Sequence, residues 1–151
     1  MRNSHELVGR PMEILLVEDN CGDARLTVEL LREGNIKHRM SWVWDGIEAL
    51  EFLRHQGIYA QAPRPDLILL DLSLPRMDGR ELLELVRGDP DLKDIPVVVM
   101  TASHSHEDFL RGESLAVESY IVKPIDIEKF LEIVKELRRF WRTDMLLFQL
   151  T

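Results

Sequence analysis

Four apolar runs in this sequence end on a group that can do chemistry. Glu18-Asp19 follows MEILLV, Asp71 follows LILL, Thr101 follows VVVM and Lys123 follows YIV. Three carboxylates brought together repel one another and raise each other's pKa values. A hard divalent cation relieves that repulsion. Mg²⁺ takes oxygen ligands, commonly one or two carboxylates with phosphate and water. A lysine and a hydroxyl beside them would bind the remaining phosphate oxygens. The set suits a carboxylate nucleophile that attacks phosphorus and forms an aspartyl phosphate. Asp71 is the best nucleophile, because it stands alone at a central strand end. Glu18 and Asp19, adjacent in a turn, are better metal holders, and the backbone carbonyl of Ser73 is placed to reach the same ion. Thr101 and Lys123 would sense and neutralise the phosphoryl group.

Residues scattered over a hundred positions meet only if the fold gathers them. Met12 to Val17 is apolar and too short for a helix, so it reads as a buried strand. A helical pattern follows from about Asp23, with Ala24, Val28 and Leu31 on one face and Gly34 placed to stop it. Met40 to Trp44 is a second strand, with Trp42 and Trp44 on one face. Asp45 caps the next helix, in which Ile47, Leu50 and Leu53 are expected to face inward. After a loop with Gly57, Pro63 and Pro65 comes the strand that ends in Asp71. Helix 80–87, broken by Gly88-Asp89-Pro90, leads to the valine-rich strand Ile95 to Met100. A poor helix over 105–115, weakened by Gly112, precedes Tyr120 to Val122. The last helix shows Ile127, Phe130, Leu131, Val134 and Leu137 on one face, with Asp126 or its neighbour as cap.

Strand and helix thus alternate five times, and the strands lack polar alternation. This pattern predicts an α/β fold, a doubly wound five-stranded parallel sheet covered on both faces. In such sheets the strand ends share one edge, and ligands bind there where the strand order reverses. Asp71 can therefore end a buried strand because the strand opens into a polar site. Residues 1–11 read as an N-terminal arm, 12–142 as the domain and 143–151 as an apolar tail.

Of the 151 residues, 19 are Lys or Arg and 27 are Asp or Glu, a net charge of −8. This balance disfavours sequence-independent nucleic-acid binding and anionic membrane surfaces. The single cysteine, Cys21, excludes an internal disulfide and fits a reducing compartment. No signal-peptide core is present, and no apolar run approaches the roughly 20 residues of a membrane helix. A cytoplasmic protein is expected, without a membrane segment and without a DNA-binding output domain, since few residues follow the last helix.

VEDN at 17–20, LLDLSLPRMDG at 69–79, VVVMTAS at 97–103 and YIVKP at 120–124 together resemble a two-component receiver domain. The resemblance covers about residues 12–142. It implies the flavodoxin-like (βα)5 receiver fold with strand order 2-1-3-4-5. It implies a single-domain response regulator whose Asp71 is phosphorylated by a histidine kinase, with Asp19 as direct Mg²⁺ ligand beside Glu18. Thr101 and Lys123 would bind phosphoryl oxygens, Tyr120 would be an aromatic switch following Thr101, and the Lys123-Pro124 bond would be cis. The switching surface would comprise the fourth helix, the fifth strand and the last helix. Its output would go to a downstream protein target or a phosphotransfer protein. Residues 48–75 and 128–141 are further similar to single-domain regulators that serve bacterial phytochromes, which points to a phytochrome kinase as donor.

Two positions depart from the receiver pattern. Ser73 stands where many receivers have Asn, and Leu115-Ala116-Val117 stands where many have Gly. An aspartyl-phosphate phosphatase would need a second Asp at position 73. A pseudo-receiver that acts without phosphorylation would not need the full set of pocket residues, and Glu18-Asp19 would repel a flavin phosphate. His104 and His106 read as solvated residues at the rim of the pocket, and Cys21 as a small filler beside it. The tail is too apolar to be free in solution. Phe140, Trp141, Leu146, Leu147 and Phe148 are expected to form a contact, with a homodimer the favoured outcome.

Overall fold

The computed structural model describes residues 10–34, 36–72, 77–102 and 117–137. Five strands, β1 (Met12–Val17), β2 (His38–Val43), β3 (Leu67–Asp71), β4 (Val97–Thr101) and β5 (Ser119–Val122), form one sheet. Its order is β2-β1-β3-β4-β5, and every neighbouring pair is parallel. The four α-helices among the described residues are α1 (Cys21–Glu33), α2 (Gly46–Leu53), α3 (Gly79–Gly88) and α4 (Ile127–Glu136). A 3₁₀ turn, Gly57–Tyr59, lies in the loop before β3. The expected parallel fold and strand order are therefore observed. The helix expected over 105–115 lies outside the described residues, as does the tail.

Period two along the strands sorts the core into two halves. Leu15, Val17, Ile68, Leu70, Val97, Val99 and Tyr120 pack with Phe52 and Leu53 of α2 and Leu82, Leu83 and Val86 of α3. Ile14, Leu16, Leu67, Leu69, Val98, Met100 and Ile121 pack with Ala24 and Leu31 of α1 and Phe130, Ile133 and Val134 of α4. Every residue of β3 and β4 is buried, which is why those strands read as unbroken apolar runs. Each large apolar side chain so enclosed contributes about 1.5 to 3 kcal/mol.

Four acidic or amide side chains start the four helices. Asn20 accepts from the Asp23 amide, Asp45 from Glu48, Asp78 from Arg80, and Asp126 from Glu128. Since each helix follows a parallel strand, all these positively polarised helix ends lie toward the carboxyl edge of the sheet. Gly79, the first residue of α3, approaches β3 closely: a Cβ there would lie 2.6 Å from the Leu72 Cα.

Two inward faces differ from expectation. In α2 the buried residues are Gly46, Ala49, Phe52 and Leu53, whereas Ile47 is exposed. Gly46 sets this rotation, because a Cβ there would stand 2.8 Å from Met77 Cβ. The helix turns its glycine inward and Ile47 outward. In α1, Thr27 rather than Val28 completes the buried stripe with Ala24 and Leu31. Its hydroxyl donates to the Asp23 carbonyl at 2.9 Å, so burying it leaves no donor unsatisfied.

At the opposite, amino edge, Arg87 ties α3 to the starts of β4 and β5. Its guanidinium donates to the carbonyls of Lys93 and Ile95, each at 2.8 Å, and to Glu118 Oε1 at 2.9 Å. The same Glu118 oxygen accepts the Val97 amide at 2.6 Å. We expect Arg87→Ala to lower unfolding stability by about 1 to 3 kcal/mol, since it strips three acceptors of a charged donor. Urea denaturation at neutral pH checks this. A midpoint within error of the parent would sink it.

Candidate phosphoryl and cation site

The alternation that builds the core also builds the site. Glu18 continues the parity of Ile14 and Leu16, Asp71 that of Leu67 and Leu69, and Lys123 that of Ile121. All three therefore extend toward the side covered by α1 and α4. Lys123 Nζ stands 2.7 Å from Glu18 Oε1, 2.8 Å from Asp71 Oδ2 and 3.0 Å from Asp23 Oδ2. Its backbone amide donates to the Thr101 carbonyl at 2.7 Å, which pins β5 to the end of β4.

Burial makes these contacts consequential. Glu18 is fully buried and Asp71 is 8% exposed, whereas Asp19 is open to solvent. Loss of solvent pushes the Glu18 carboxyl up to about 7; the Lys123 ammonium opposes this and Asp71 adds to it. Burial alone would depress Lys123. Hydrogen bonds to Asp71, Glu18 and Asp23 outweigh burial and leave it above the ordinary lysine range. The Lys123 ammonium is 2.7 Å from Glu18 Oε1, and among the described residues this buried oxygen meets no other donor, so it has lone pairs to spare.

The donor set fits a hard cation. One carboxylate oxygen from each of Glu18, Asp19 and Asp71 lies within 4.8 Å of the others. That spacing lets three oxygens surround one divalent ion.

Thr101, 2% exposed, ends β4 with the parity of Val97 and Val99. Tyr120, also buried, pairs with Val99 in register and lies on that same face, two positions from the Thr101–Val122 pair. The sheet thus places Thr101 and Tyr120 on the face opposite Glu18, Asp71 and Lys123. The Lys123-Pro124 peptide is cis, as the resemblance implies. Cys21, the first residue of α1, is exposed and is therefore no filler beside the pocket. Ser73, His104, His106, Phe140, Trp141, Leu146, Leu147 and Phe148 lie outside the described residues.

Two residues of the site escaped the sequence reading. Asp23 reads there only as a helix start, yet it is the third carboxylate on Lys123, a hundred positions away. The signal lay in its place in the first turn of the helix leaving strand 1, over the same edge. Trp42 donates its indole N–H to the Glu18 carbonyl at 2.6 Å. Nothing local in the sequence announces that bond.

A parallel sheet ordered 2-1-3-4-5, with acids and a lysine gathered at its carboxyl edge, defines the signalling receivers. The chain belongs to the response regulator receiver domain family, whose pattern matches residues 14–135. It is 44% identical over 131 residues to response regulator Rcp1 of Synechocystis sp. (strain ATCC 27184 / PCC 6803 / Kazusa), covering 87% of this chain and 89% of that protein. Among solved structures, the phosphorylated cyanobacterial phytochrome response regulator RcpA superposes with a TM-score of 0.68 at 44% identity, over 91% of this chain and 98% of that one. The Mn²⁺-bound form of Rcp1 gives 0.68 at 42%, over 92% and 100%. The chain is a two-component response regulator receiver. No helix of the described residues is long and apolar enough to cross a membrane.

Glu18 makes the metal-free domain sensitive to pH. Its folded pKa, about 7, lies above the unfolded value of 4.5. The folded state therefore binds this proton more tightly, so the Glu18 contribution to stability is full below about 4.5 and is lost as pH rises from there through 7. We expect Glu18→Gln to remove that slope and to stabilise the metal-free protein at pH 8 by about 1 to 3 kcal/mol. Thermal melts in chelator from pH 5 to 8 measure it. Parallel curves for parent and variant would contradict the assignment.

Proposed function

We propose that Asp71 is the phosphoacceptor of this receiver and that a histidine kinase is its donor. The observation that carries this reading is the Lys123 ammonium, held 2.8 Å from Asp71 and 2.7 Å from Glu18 at the sheet's carboxyl edge. An Asp71 oxygen attacks the phosphorus of a phosphohistidine. The new bond is O–P, the P–N bond breaks, and its electron pair returns to the imidazole, which then takes a proton. Lys123 orients the attacking carboxylate and follows the charge onto the phosphoryl oxygens. The Thr101 hydroxyl binds another of these oxygens. A cleft of about 330 Å³ lined by Asp23, Leu26, Thr27, Ala102, Lys123 and Pro124 opens beside the lysine and gives the donor access.

Mg²⁺ is the cation of this proposal; Asp19, Glu18, Asp71 and the backbone carbonyl of Ser73 would hold it, and when bound it would neutralise charge on the phosphoryl group. The Mn²⁺-bound form of Rcp1 supports a divalent ion here. The protein catalyses at most its own phosphorylation and dephosphorylation, and a cytoplasmic location fits such a partner. The added charge draws Thr101 and Tyr120 toward the site and biases the surface of the predicted helix 105–115, β5 and α4. That surface would address a downstream protein or a phosphotransfer partner. Likeness to the phytochrome regulator RcpA favours a phytochrome kinase as donor.

Incubation with acetyl phosphate and Mg²⁺ should label the wild type and leave Asp71→Asn unlabelled, by intact-protein mass. Chelator should abolish labelling. An unlabelled wild type at saturating Mg²⁺ sinks the reading, and equal labelling of Asp71→Asn would move the acceptor elsewhere. The apolar tail would complete a homodimer through Phe140, Trp141, Leu146, Leu147 and Phe148. Removal of residues 143–151 should halve the mass measured by light scattering, and a dimer surviving truncation excludes the part assigned to Leu146, Leu147 and Phe148.

A further inference from the structure

Beyond the acid cluster itself, the outermost strand reaches into the site. Trp42, near the end of β2, donates its indole N–H to the Glu18 carbonyl at 2.6 Å. The next residue, Val43, accepts the Glu18 amide on its carbonyl at 3.1 Å. Two consecutive residues of one edge strand thus hold both polar groups of the Glu18 backbone. The held carbonyl belongs to the planar peptide that also carries the Asp19 nitrogen. Fixing that carbonyl fixes the direction in which the chain leaves for Asp19.

On the other side of Asp19 the turn is braced by Asn20, whose side chain accepts the Asp23 amide and whose carbonyl accepts the Ala24 amide, each at 2.9 Å. Asp19 is exposed and sits in a bend outside any ladder. The Asn20 amide reaches Glu18 Oε2 at 3.2 Å, a contact from the same short turn. The indole is itself positioned. Its ring stacks on Trp44 with centroids 5.3 Å apart and planes 19° from parallel. The Trp44 amide is bound by Glu48 Oε1 at 2.8 Å, in the first turn of α2. A line of contacts therefore runs from the start of α2 through two tryptophans to the acid turn. Trp42 and Trp44 are also 37% and 49% exposed, so their packing into the core does not explain them.

We infer that Trp42 is a positioning residue for the divalent-cation site, setting the approach of Asp19 through the peptide that joins it to Glu18. This rests on the cation and phosphoacceptor reading above. Indole is a donor only, so phenylalanine keeps the stacked ring and deletes the one hydrogen bond.

The test titrates Mn²⁺ into the full chain and reads the free ion by electron paramagnetic resonance. W42F should raise the Mn²⁺ dissociation constant about three- to tenfold, the cost of one hydrogen bond behind a ligand. Acetyl phosphate labelling should be slower than wild type at subsaturating Mg²⁺ and equal to it within about twofold at saturating Mg²⁺, as expected for a change in metal affinity alone. W42L, which also lacks the donor, serves if W42F does not unfold cooperatively. Arg87→Ala, at the far edge of the sheet, is the control for stability loss without a change in affinity. If W42F behaves as Arg87→Ala does, less stable with an unchanged dissociation constant, Trp42 is structural only and the inference fails. A wild type that binds no Mn²⁺ and takes no label would instead overturn the cation and phosphoacceptor reading.

Discussion

The site turns on one ammonium group that has to serve three carboxylates. Glu18, Asp23 and Asp71 bring three negative charges to the single positive charge of Lys123. Exposed, such a set would be worth little in either direction. Here Glu18 is fully buried and Asp71 nearly so, and the imbalance cannot be left to solvent. Burial beside Asp71 favours a proton on Glu18, whose carboxyl is pushed up to about 7. A divalent ion is a better answer to the same deficit, because it brings two charges to carboxylates that otherwise share one ammonium. A phosphoryl group would add negative charge, so on the proposed reading the site would accept one only with cations to answer it. On that reading, affinity for metal and readiness for phosphoryl transfer would be one electrostatic condition.

That condition depends on the parallel sheet. Only when all strands run the same way do Glu18, Asp71, Thr101 and Lys123 reach a single edge. The same alternation then divides the labour. Even steps from Ile14, Leu67 and Ile121 lead to Glu18, Asp71 and Lys123 on the side of α1 and α4. Steps from Val97 and Val99 lead to Thr101 on the side of Tyr120, α2 and α3. A group bound at the edge is therefore in touch with both halves of the core. Neither half can repack without being felt at the strand ends, because close-packed interiors transmit small displacements.

The parts of this arrangement that are local in the chain were legible from residue order. Unalternating apolar runs marked β1, β3 and β4, their terminal polar residues marked the site, and Asp45 and Asp126 marked helix starts. Asp23 and Trp42 were not legible. Each earns its role from a contact across the fold, with Lys123 and with the Glu18 carbonyl, and residue type alone is silent about either. On the inward face of α2, Leu53 and the partly buried Leu50 were read correctly and Ile47 was misread, for a related reason. Ile47, Leu50 and Leu53 have helical spacing, but so do Gly46, Ala49 and Leu53. The close approach of Gly46 to Met77 decides between them, and apolarity gives no hint of it.

An edge strand is ordinarily the part of a sheet with the least influence on its centre. Its free side faces water, and charged residues commonly guard it against pairing with another chain. β2 follows that rule at its start, with exposed Arg39, and departs from it at its end, with two half-exposed tryptophans. Exposed indole rings cost solubility, and no core packing repays the cost at these positions. The bond from Trp42 to Glu18 supplies a reason for at least one of them. It makes the outermost strand a wall of the cation site, since Trp42 and Val43 together hold the backbone from which Glu18 and Asp19 extend. Anything that docks on the Trp42–Trp44 stack would then press on the acid turn directly, without passing through either half of the core.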